Sequence, residues 1–218
     1  EIIKEEVGHS MPAGMQAFVM NTRKSAFSDR NVREAIAYAF DFEWTNANLF
    51  YSQYKRTHSY FENSELASSG LPSAAELEIL LPFKNQLPEE VFSKEYIPPS
   101  TSKPSSARKN LKTAVTKLKA AGWEIENRVL KNKKTGEALS FEIMIFNKDW
   151  ERILQPFVQN LQKLGINASI RLVDTTQYIN RLQTQDFDMF VNTIGQSNSP
   201  GNEQRAFWHS ETANLPGT

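Results

Sequence analysis

The feature that most constrains the fold is an alternating segment followed directly by a capped amphipathic segment. In Met15–Met20, successive side chains point to opposite faces of an extended strand, and neither face is strongly polar. Ser28 and Asp29 are residue types that cap helix N-termini. The apolar residues after them repeat at intervals of three and four, namely Val32, Ala35, Ile36, Ala39 and Phe40. The segment therefore predicts a covered strand and then a helix that buries one stripe.

The same stretch resembles a signature of the substrate-binding proteins of ABC importers for oligopeptides, solute-binding protein family 5. In that family a strand ending in Asn-Thr precedes the pattern Phe-x-Asp-x-x-Val-Arg-x-Ala-x-x-Tyr-Ala-x-Asp. The matching residues are Asn21, Thr22, Phe27, Asp29, Val32, Arg33, Ala35, Tyr38, Ala39 and Asp41. The continuation from Asp41 to Pro72 is similar to the Yej-type subgroup, which imports peptides and peptide-like antibiotics such as microcin C.

The resemblance implies an α/β fold, the large lobe of a class II periplasmic binding protein, with a mixed sheet flanked by helices. It implies a monomeric, non-enzymatic protein without a cofactor. Two lobes would close over an extended oligopeptide in the periplasm and deliver it to ABC permease subunits in the inner membrane. A metal complex, haem or an oligosaccharide is the alternative ligand within the same fold.

Members of the family are exported by a signal sequence and are more than twice as long, so we expect these residues to be a piece of a larger protein. Residues 1–14 are predicted to lie near the hinge, and 15–193 to form most of the second large lobe. Residues 62–106, rich in proline and serine, are predicted to be mostly irregular, with a helix over Pro72–Leu81. Residues 194–218 are predicted to form a polar ligand-side loop and a truncated C-terminal part.

Composition excludes several classes of function. The chain has 25 basic and 25 acidic residues, so its net charge of zero predicts no overall attraction to nucleic acid or to an anionic membrane. It has no cysteine, which excludes disulfides and thiol catalysis. No apolar run approaches the ~20 residues that a membrane span needs.

Helical and strand spacings alternate from Ser106 onward. Leu111, Val115 and Leu118 predict a helix that ends at Gly122. Its five basic residues between positions 108 and 119 are interpreted as a solvated face, with anion binding as the alternative. The later predicted elements are a hairpin of 128–130 with 139–146, a helix over 153–164 closed by Gly165, a strand over 167–173, a helix over 175–183 and a strand over 187–193. This alternation predicts an α/β layer around one sheet.

A first candidate binding loop lies in Phe146–Leu154, where a predicted strand passes through a loop into a helix. Open α/β sheets commonly contact ligands at such strand ends. Arg152 suits a two-pronged pair with a carboxylate, Trp150 suits a flat apolar wall, and Asn147 lies beside them. The alternative is that Arg152 pairs with Glu151 or another nearby acid and that Trp150 belongs to the core.

A second candidate is the loop after the last predicted strand. In the family that the resemblance indicates, this loop often carries an aspartate, shortly before a proline, that holds the amino end of the peptide. Here Gln196, Ser197 and Asn198 precede Pro200 in place of the acid. This implies that Glu203 or a carboxylate of the other lobe meets the amine, or that ligands are not held by their amino end. A loop kept polar by solvent is the alternative.

The sequence lacks the usual motifs of an enzyme active site. The three histidines show no metal-site spacing, and no nucleophile elbow, dinucleotide fingerprint or P-loop is present. Asp186 and Asp188 fall on one face of a predicted strand, so a hydrolase using them with Arg152 is the remaining enzymatic alternative. Two polar residues at the solvent side of a strand entry are the simpler interpretation.

Aromatic residues are dense between positions 40 and 61. They are Phe40, Phe42, Trp44, Phe50, Tyr51, Tyr54, Tyr60 and Phe61. Because aromatic side chains bury large areas, most of them are predicted to be core, with Tyr60 and the nearby Glu62 and Asn63 as candidates for a pocket.

Overall fold

A mixed four-stranded sheet, in the order β1–β6–β4–β5, organises most of the chain. The computed structural model describes residues 3, 5 and 7–216. The strands of this sheet are β1 (Met15–Met20), β4 (Ser140–Ile145), β5 (Asn167–Leu172) and β6 (Met189–Ile194). A two-stranded sheet is formed by β2 (Trp123–Glu126) and β3 (Val129–Asn132).

Helices connect and flank these strands. The larger ones are α2 (Arg30–Ala39), α3 (Phe42–Leu49), α6 (Ser106–Ala120), α7 (Glu151–Lys163) and α8 (Thr175–Gln183). The shorter ones are α1 (Ser25–Ser28), α4 (Ala74–Leu80), α5 (Glu90–Ser93), α9 (Glu203–Trp208) and 3-10 turns at Leu81–Gln86, Lys148–Trp150 and Ser210–Thr212. The helix predicted over 175–183 has the predicted bounds. Gly122 and Gly165 end α6 and α7 in the left-handed conformation, with φ of +82° and +77°.

Strand directions follow from the pairing registers. β4 runs parallel to β5 and to β6. β1 runs against β6, because the amide of Asn21, just past β1, donates to the carbonyl of Asp188, just before β6, at 2.9 Å. The sheet is therefore mixed and carries an antiparallel edge strand, as the expected fold class requires.

Two apolar clusters cover the two faces of β4. Phe141, Ile143 and Ile145 belong to the main core, together with residues of α2, α6 and α7. Met144 points to the other face and packs with Tyr178 of α8 and with other apolar residues. From Ile143 to Ile145 the strand is buried on both faces and is continuously apolar, whereas Ser140 and Glu142 make the start of its second face polar.

Residues of the Met15–Tyr60 segment make contacts that fix the end of β1 and the start of α2. Asn21 is 3% exposed, and its side-chain nitrogen donates to the carbonyls of Gln185 and Phe187 at 3.0 and 2.9 Å. Asp29 caps α2 by accepting from the amide of Asn31 at 2.7 Å. Ser28, the other predicted cap, ends α1 and donates to the carbonyl of Ser25 instead.

The predicted hairpin is wrong in its pairing. β3 pairs with β2 through a tight turn at Asn127 and Arg128, both with positive φ, and β4 pairs with β5 and β6. The segment between β3 and β4 does reverse the direction of the chain. The antiparallel pairing that results is limited to a single bridge between Lys131 and Ala138. The prediction failed because β4 lies inside the sheet, where its backbone pairs with β5 on one side and β6 on the other and leaves no edge for β3.

The aromatic segment is only partly core. Phe40 packs with Phe18 and Phe157 at ring-centroid distances of 5.3 and 5.5 Å. Tyr51 and Tyr54 are 85% and 60% exposed, and the exposed fractions of Trp44 and Tyr60 are 45% and 40%. The core prediction fails for Trp44, on the exposed side of α3, and for Tyr51 and Tyr54, which lie beyond the end of α3 at Leu49. Asn46 then holds the following loop through its side-chain bonds to the backbone of Tyr54 at 2.6 and 3.0 Å.

The described chain forms two compact units. The first contains the described residues up to Gln16, together with Arg56–Pro98 and Thr193–Gly201. The second contains Ala17–Lys55, Pro99–Asn192 and the described residues from Asn202 onward. The predicted roles of residues 1–14 as a hinge-proximal segment, of 15–193 as a lobe and of 194–218 as a ligand-side loop stay predictions.

The first unit carries residues 62–98 of the proline- and serine-rich segment, with the short helices α4 and α5 and the 3-10 turn at Leu81–Gln86. Ser73 and Glu76 form a reciprocal capping box at the start of α4. Leu77 and Leu80 are partly buried, whereas Leu81, the last residue of the predicted helix, is 52% exposed. Leu81 begins a 3-10 turn, which changes the direction of the side chains that follow α4.

Candidate functional site

The carboxyl end of β4 is the candidate site of the second unit. β5 lies on one side of β4 and β6 on the other, so the chain changes direction across the sheet at this strand. Crevices outside the carboxyl ends of strands at such a switch point are the usual ligand sites of open α/β sheets. The sheet ends there at Phe146 and Asn147, which are both exposed.

Asn147 starts the short 3-10 turn that leads into α7. Its side-chain oxygen accepts from the amide of Asp149 at 2.9 Å, and its carbonyl accepts from the amide of Trp150 at 3.3 Å. Among the described residues, no acceptor lies within hydrogen-bonding distance of its side-chain nitrogen. Asn147 therefore has a structural role through its oxygens, while the two N–H groups of its side chain make no hydrogen bond with the described residues.

Trp150 and Arg152 differ from each other in burial. Trp150 is partly buried and packs against the main core, as the structural alternative proposed. Arg152 is exposed, and its guanidinium lies 5.7 Å from the centre of the Phe50 ring. The ion pair with Glu151 is not formed, and no other described acid lies within ion-pair distance of Arg152. Its charge is thus positioned by an aromatic face and is free to receive an anionic group.

Phe146 is the residue of this edge that the sequence interpretation missed. Its ring is 50% exposed and packs on the ring of Tyr178 at 4.8 Å. Tyr178 donates from its hydroxyl to the carbonyl of Val191 at 3.1 Å, and burial raises the pKa of Tyr178. The sequence did contain a signal for Phe146. It is an aromatic residue at the end of an apolar run, directly before a polar loop.

The second candidate loop belongs to the first unit. Gln196 is partly buried, and Ser197 and Asn198 are exposed. The Ser197 hydroxyl donates to the carbonyl of Ser199 at 2.8 Å, which shapes the turn before Pro200. Glu203, named as a possible partner for a ligand amine, lies in the second unit at the start of α9. The ligand-binding role of these residues stays a prediction.

The two aspartates of the hydrolase alternative make structural contacts. Asp188 accepts from the amide of Glu142 at 2.9 Å and lies 3.8 Å from Lys24. Asp186 lies 3.3 Å from the guanidinium of Arg181. Within the described part of the chain, no group of three or more His, Asp or Glu residues could hold a metal ion. No helix of that part is long and apolar enough to cross a membrane.

Comparison with known proteins decides the family. Residues 3–215 match the family described as bacterial extracellular solute-binding proteins, family 5 Middle. The chain belongs to this family. The resemblance inferred from the Met15–Tyr60 signature is confirmed, and family 5 consists of binding proteins rather than enzymes.

Sequence relatives in family 5 include Yej-type proteins. The chain is 47% identical over 204 residues to the probable peptide-binding protein YejA of Agrobacterium fabrum, covering 94% of this chain and 33% of that protein. It is 40% identical to the uncharacterized protein YejA of Escherichia coli, over 99% of this chain and 36% of that protein. Identity to the peptidoglycan-binding protein YepA of A. fabrum is 38%, over 100% of this chain and 35% of that protein. The chain thus spans about a third of the length of these relatives.

Solved structures of other binding proteins share the fold. The oligopeptide-binding protein AppA of Bacillus subtilis, solved with a nonapeptide, has a TM-score of 0.66 at 20% identity, over 93% of this chain and 35% of AppA. NikA of Brucella suis, solved with Fe(III)-EDTA, has a TM-score of 0.62 at 20% identity, over 94% of this chain and 34% of NikA. At this identity the likeness shows the fold and carries no information about the ligand. The class II binding-protein fold is thereby confirmed.

Proposed function

We propose that this chain is part of the substrate-binding component of an ABC peptide importer. The observation that carries the proposal is the 47% identity, over 94% of the chain, to a probable peptide-binding protein. In this proposal residues 15–193 supply most of one lobe. The whole protein binds extended oligopeptides between two lobes in the periplasm and delivers them to the permease.

The edge at the end of β4 supplies groups that suit a peptide. The free side-chain nitrogen of Asn147 can donate to a peptide carbonyl. Arg152, held over the Phe50 ring and without an acid partner, can receive a carboxylate of the peptide in a bidentate pair. The exposed ring of Phe146 offers an apolar surface for a side chain.

The loop at Gln196, Ser197 and Asn198 contributes neutral donors and acceptors. Such groups can hydrogen-bond the backbone of an extended peptide regardless of its side chains, which gives a loose sequence preference. Because the loop carries no acid, it offers no charge for the amino end of the peptide. Closure of the lobes over the ligand would then supply the rest of the affinity by excluding water.

Two observations define competing ligands. Proteins of the same fold have been solved with Fe(III)-EDTA and with mannohexaose, at TM-scores of 0.62 and 0.59. A relative with 38% identity is named a peptidoglycan-binding protein, so the peptide stems of peptidoglycan belong among the peptides to be tested. The closer relationship to a peptide-binding protein favours peptides over metal complexes and oligosaccharides.

Native mass spectrometry of the full-length parent protein, produced in a periplasm, tests the proposal. We expect a series of bound masses that correspond to peptides of several lengths. A single non-peptide mass would contradict the proposal. So would an empty protein that stays empty after a peptide mixture and peptidoglycan stem peptides are added.

A further inference from the structure

The net charge of zero conceals a segregation of charge along the chain. Residues 103–134 contain ten of the 25 Lys and Arg residues but two of the 25 Asp and Glu residues. The remaining residues carry the matching excess of acid. Because this segment comprises α6 and the β2–β3 hairpin, the positive charge is concentrated on one part of the second unit.

Four cations lie on the outward side of α6. The helix buries the side that carries Ala114 and Leu118. At about 3.6 residues per turn, the opposite side carries a row of cations within roughly a third of the circumference and along about 16 Å of the axis. The members of this cation row are Arg108, Lys109, Lys112 and Lys119, all of them exposed.

The cation row is not neutralised by the chain. None of its four side chains makes an ion pair or a hydrogen bond with any residue that the structure describes. The other lysine of α6, Lys117, binds the carboxylate of Glu34, and on the hairpin Lys131 and Lys133 pair with acids at 3.4 and 3.1 Å. Like charges three and four positions apart on a helix destabilise it, so the row has a cost that an anionic partner would remove.

Apolar side chains border one end of the row. Lys119 lines a small crevice together with Val115, Trp123 and Ile125. Ile125 is 40% exposed, and Val129 on the neighbouring strand is 37% exposed. The row therefore combines uncompensated cations with exposed apolar groups.

We propose that the cation row docks on the surface of an anionic phospholipid bilayer. Flexible cations spread along one side of a helix, without a shared pocket, match a broad array of phosphodiester headgroups better than a single small anion. The exposed side chain of Ile125 suits the boundary between headgroups and acyl chains. The row is separate in residues from the candidate peptide site, so this inference holds or fails independently of the proposed function.

Vesicle co-sedimentation of the purified full-length parent protein tests the inference. The vesicles are pure phosphatidylcholine or a mixture of phosphatidylcholine with phosphatidylglycerol, each at low and at high salt. The test variant replaces the row: Arg108→Gln, Lys109→Gln, Lys112→Gln and Lys119→Gln. The control variant removes the same charge from exposed positions outside residues 103–134: Lys84→Gln, Lys94→Gln, Lys148→Gln and Lys163→Gln.

We expect the wild type and the control to bind the anionic vesicles at low salt, to release them at high salt and to ignore neutral vesicles. The test variant should bind the anionic vesicles more than about tenfold more weakly. A variant with only two substitutions but the same loss of four charges, Lys112→Glu with Lys119→Glu, repeats the test if the fourfold variant does not fold. The inference is overturned if the wild type does not bind anionic vesicles or binds neutral vesicles equally well. It is also overturned if the control variant loses binding as strongly as the test variant.

Discussion

Glu43 in α3 accepts hydrogen bonds from both the amide nitrogen and the hydroxyl of Thr101, each at 2.8 Å. The other oxygen of Glu43 accepts from the hydroxyl of Ser100 at 2.6 Å, and Asp41 also binds the Thr101 hydroxyl. The side chain of Asn110 in α6 donates to the carbonyl of Ser100 at 3.1 Å. These contacts fasten the chain between α3 and α6, where it enters the second unit at Pro99.

Glu43→Gln is expected to lower the free energy of unfolding by about 1–2 kcal/mol, because the carboxylate makes charge-assisted bonds that an amide cannot all replace. Urea denaturation of the purified chain measures the change. Glu78→Gln is the matched control, since Glu78 is exposed and makes no ion pair or hydrogen bond with the residues that the structure describes. Equal stabilities of the two variants would contradict the role of Glu43.

The contribution of Glu43 should depend on pH. Burial raises the pKa of its carboxyl, but the hydrogen bonds from Ser100 and Thr101 outweigh this and hold the pKa below its ordinary value of 4.5. A pKa lowered in the folded state gives stability that is fully present above the unfolded-state pKa and is lost as the pH falls through the folded-state pKa. The stability difference between wild type and Glu43→Gln should therefore be constant near neutral pH and shrink below about pH 4.5. A stability difference between wild type and Glu43→Gln that stays constant below about pH 4.5 would refute this.

Two glycines with the same backbone conformation allow a matched test of packing. A Cβ on Gly165 would lie 2.7 Å from the backbone nitrogen of Leu130, which already donates to the Gly165 carbonyl at 2.8 Å. A Cβ on Gly122 would meet nothing within 4 Å. Gly122→Ala should cost about 1 kcal/mol from the left-handed backbone alone, and Gly165→Ala at least about 2 kcal/mol more from the clash with β3. Thermal or urea unfolding compares them, and equal losses would exclude the clash.

Asn21→Asp tests the structural role of the signature residue. The substitution turns a donor into a carboxylate oxygen that faces the carbonyls of Gln185 and Phe187 in a buried position. We expect a loss of about 2–4 kcal/mol, because a buried charge would meet acceptors in place of donors. Urea denaturation measures it, with Thr22→Ala, an exposed neighbour, as control. A loss below about 0.5 kcal/mol would contradict the interpretation.

Local patterns predicted most elements because their causes are local. α8 has its predicted bounds, since Asp174 caps it and the spacing inside it is helical. The pairing of β3 failed, because a strand's partner is decided by distant residues that cover its faces. The predicted burial of Tyr51 and Tyr54 was wrong for a similar reason. Aromatic side chains are buried on average, but here the end of α3 leaves these two in an exposed loop.

The candidate site was predictable in position but not in detail. The strand–loop–helix pattern located Asn147 and Arg152 at the end of β4. The contact of Arg152 with Phe50 joins residues far apart in sequence, so no local pattern could indicate it. Competition from Glu151 for Arg152 is a reasonable expectation from sequence proximity, yet the helix directs the two side chains differently.

The neutral loop at Gln196–Asn198 leads to a prediction about the peptide end. If the neutral loop means that ligands are not held by their amino end, the full-length protein should bind a peptide and its N-acetylated form with affinities within about threefold of each other. Asn198→Asp supplies a carboxylate of the same shape and should shift the preference toward the free amine by about tenfold, the range of one charge-assisted hydrogen bond. Isothermal titration with the paired peptides measures both effects, and Gln177→Glu, an exposed change of equal charge outside both loops, is the control. A wild type that strongly prefers the free amine would show that a carboxylate elsewhere in the protein holds it. An Asn198→Asp variant without any shift would place Asn198 away from the peptide amine.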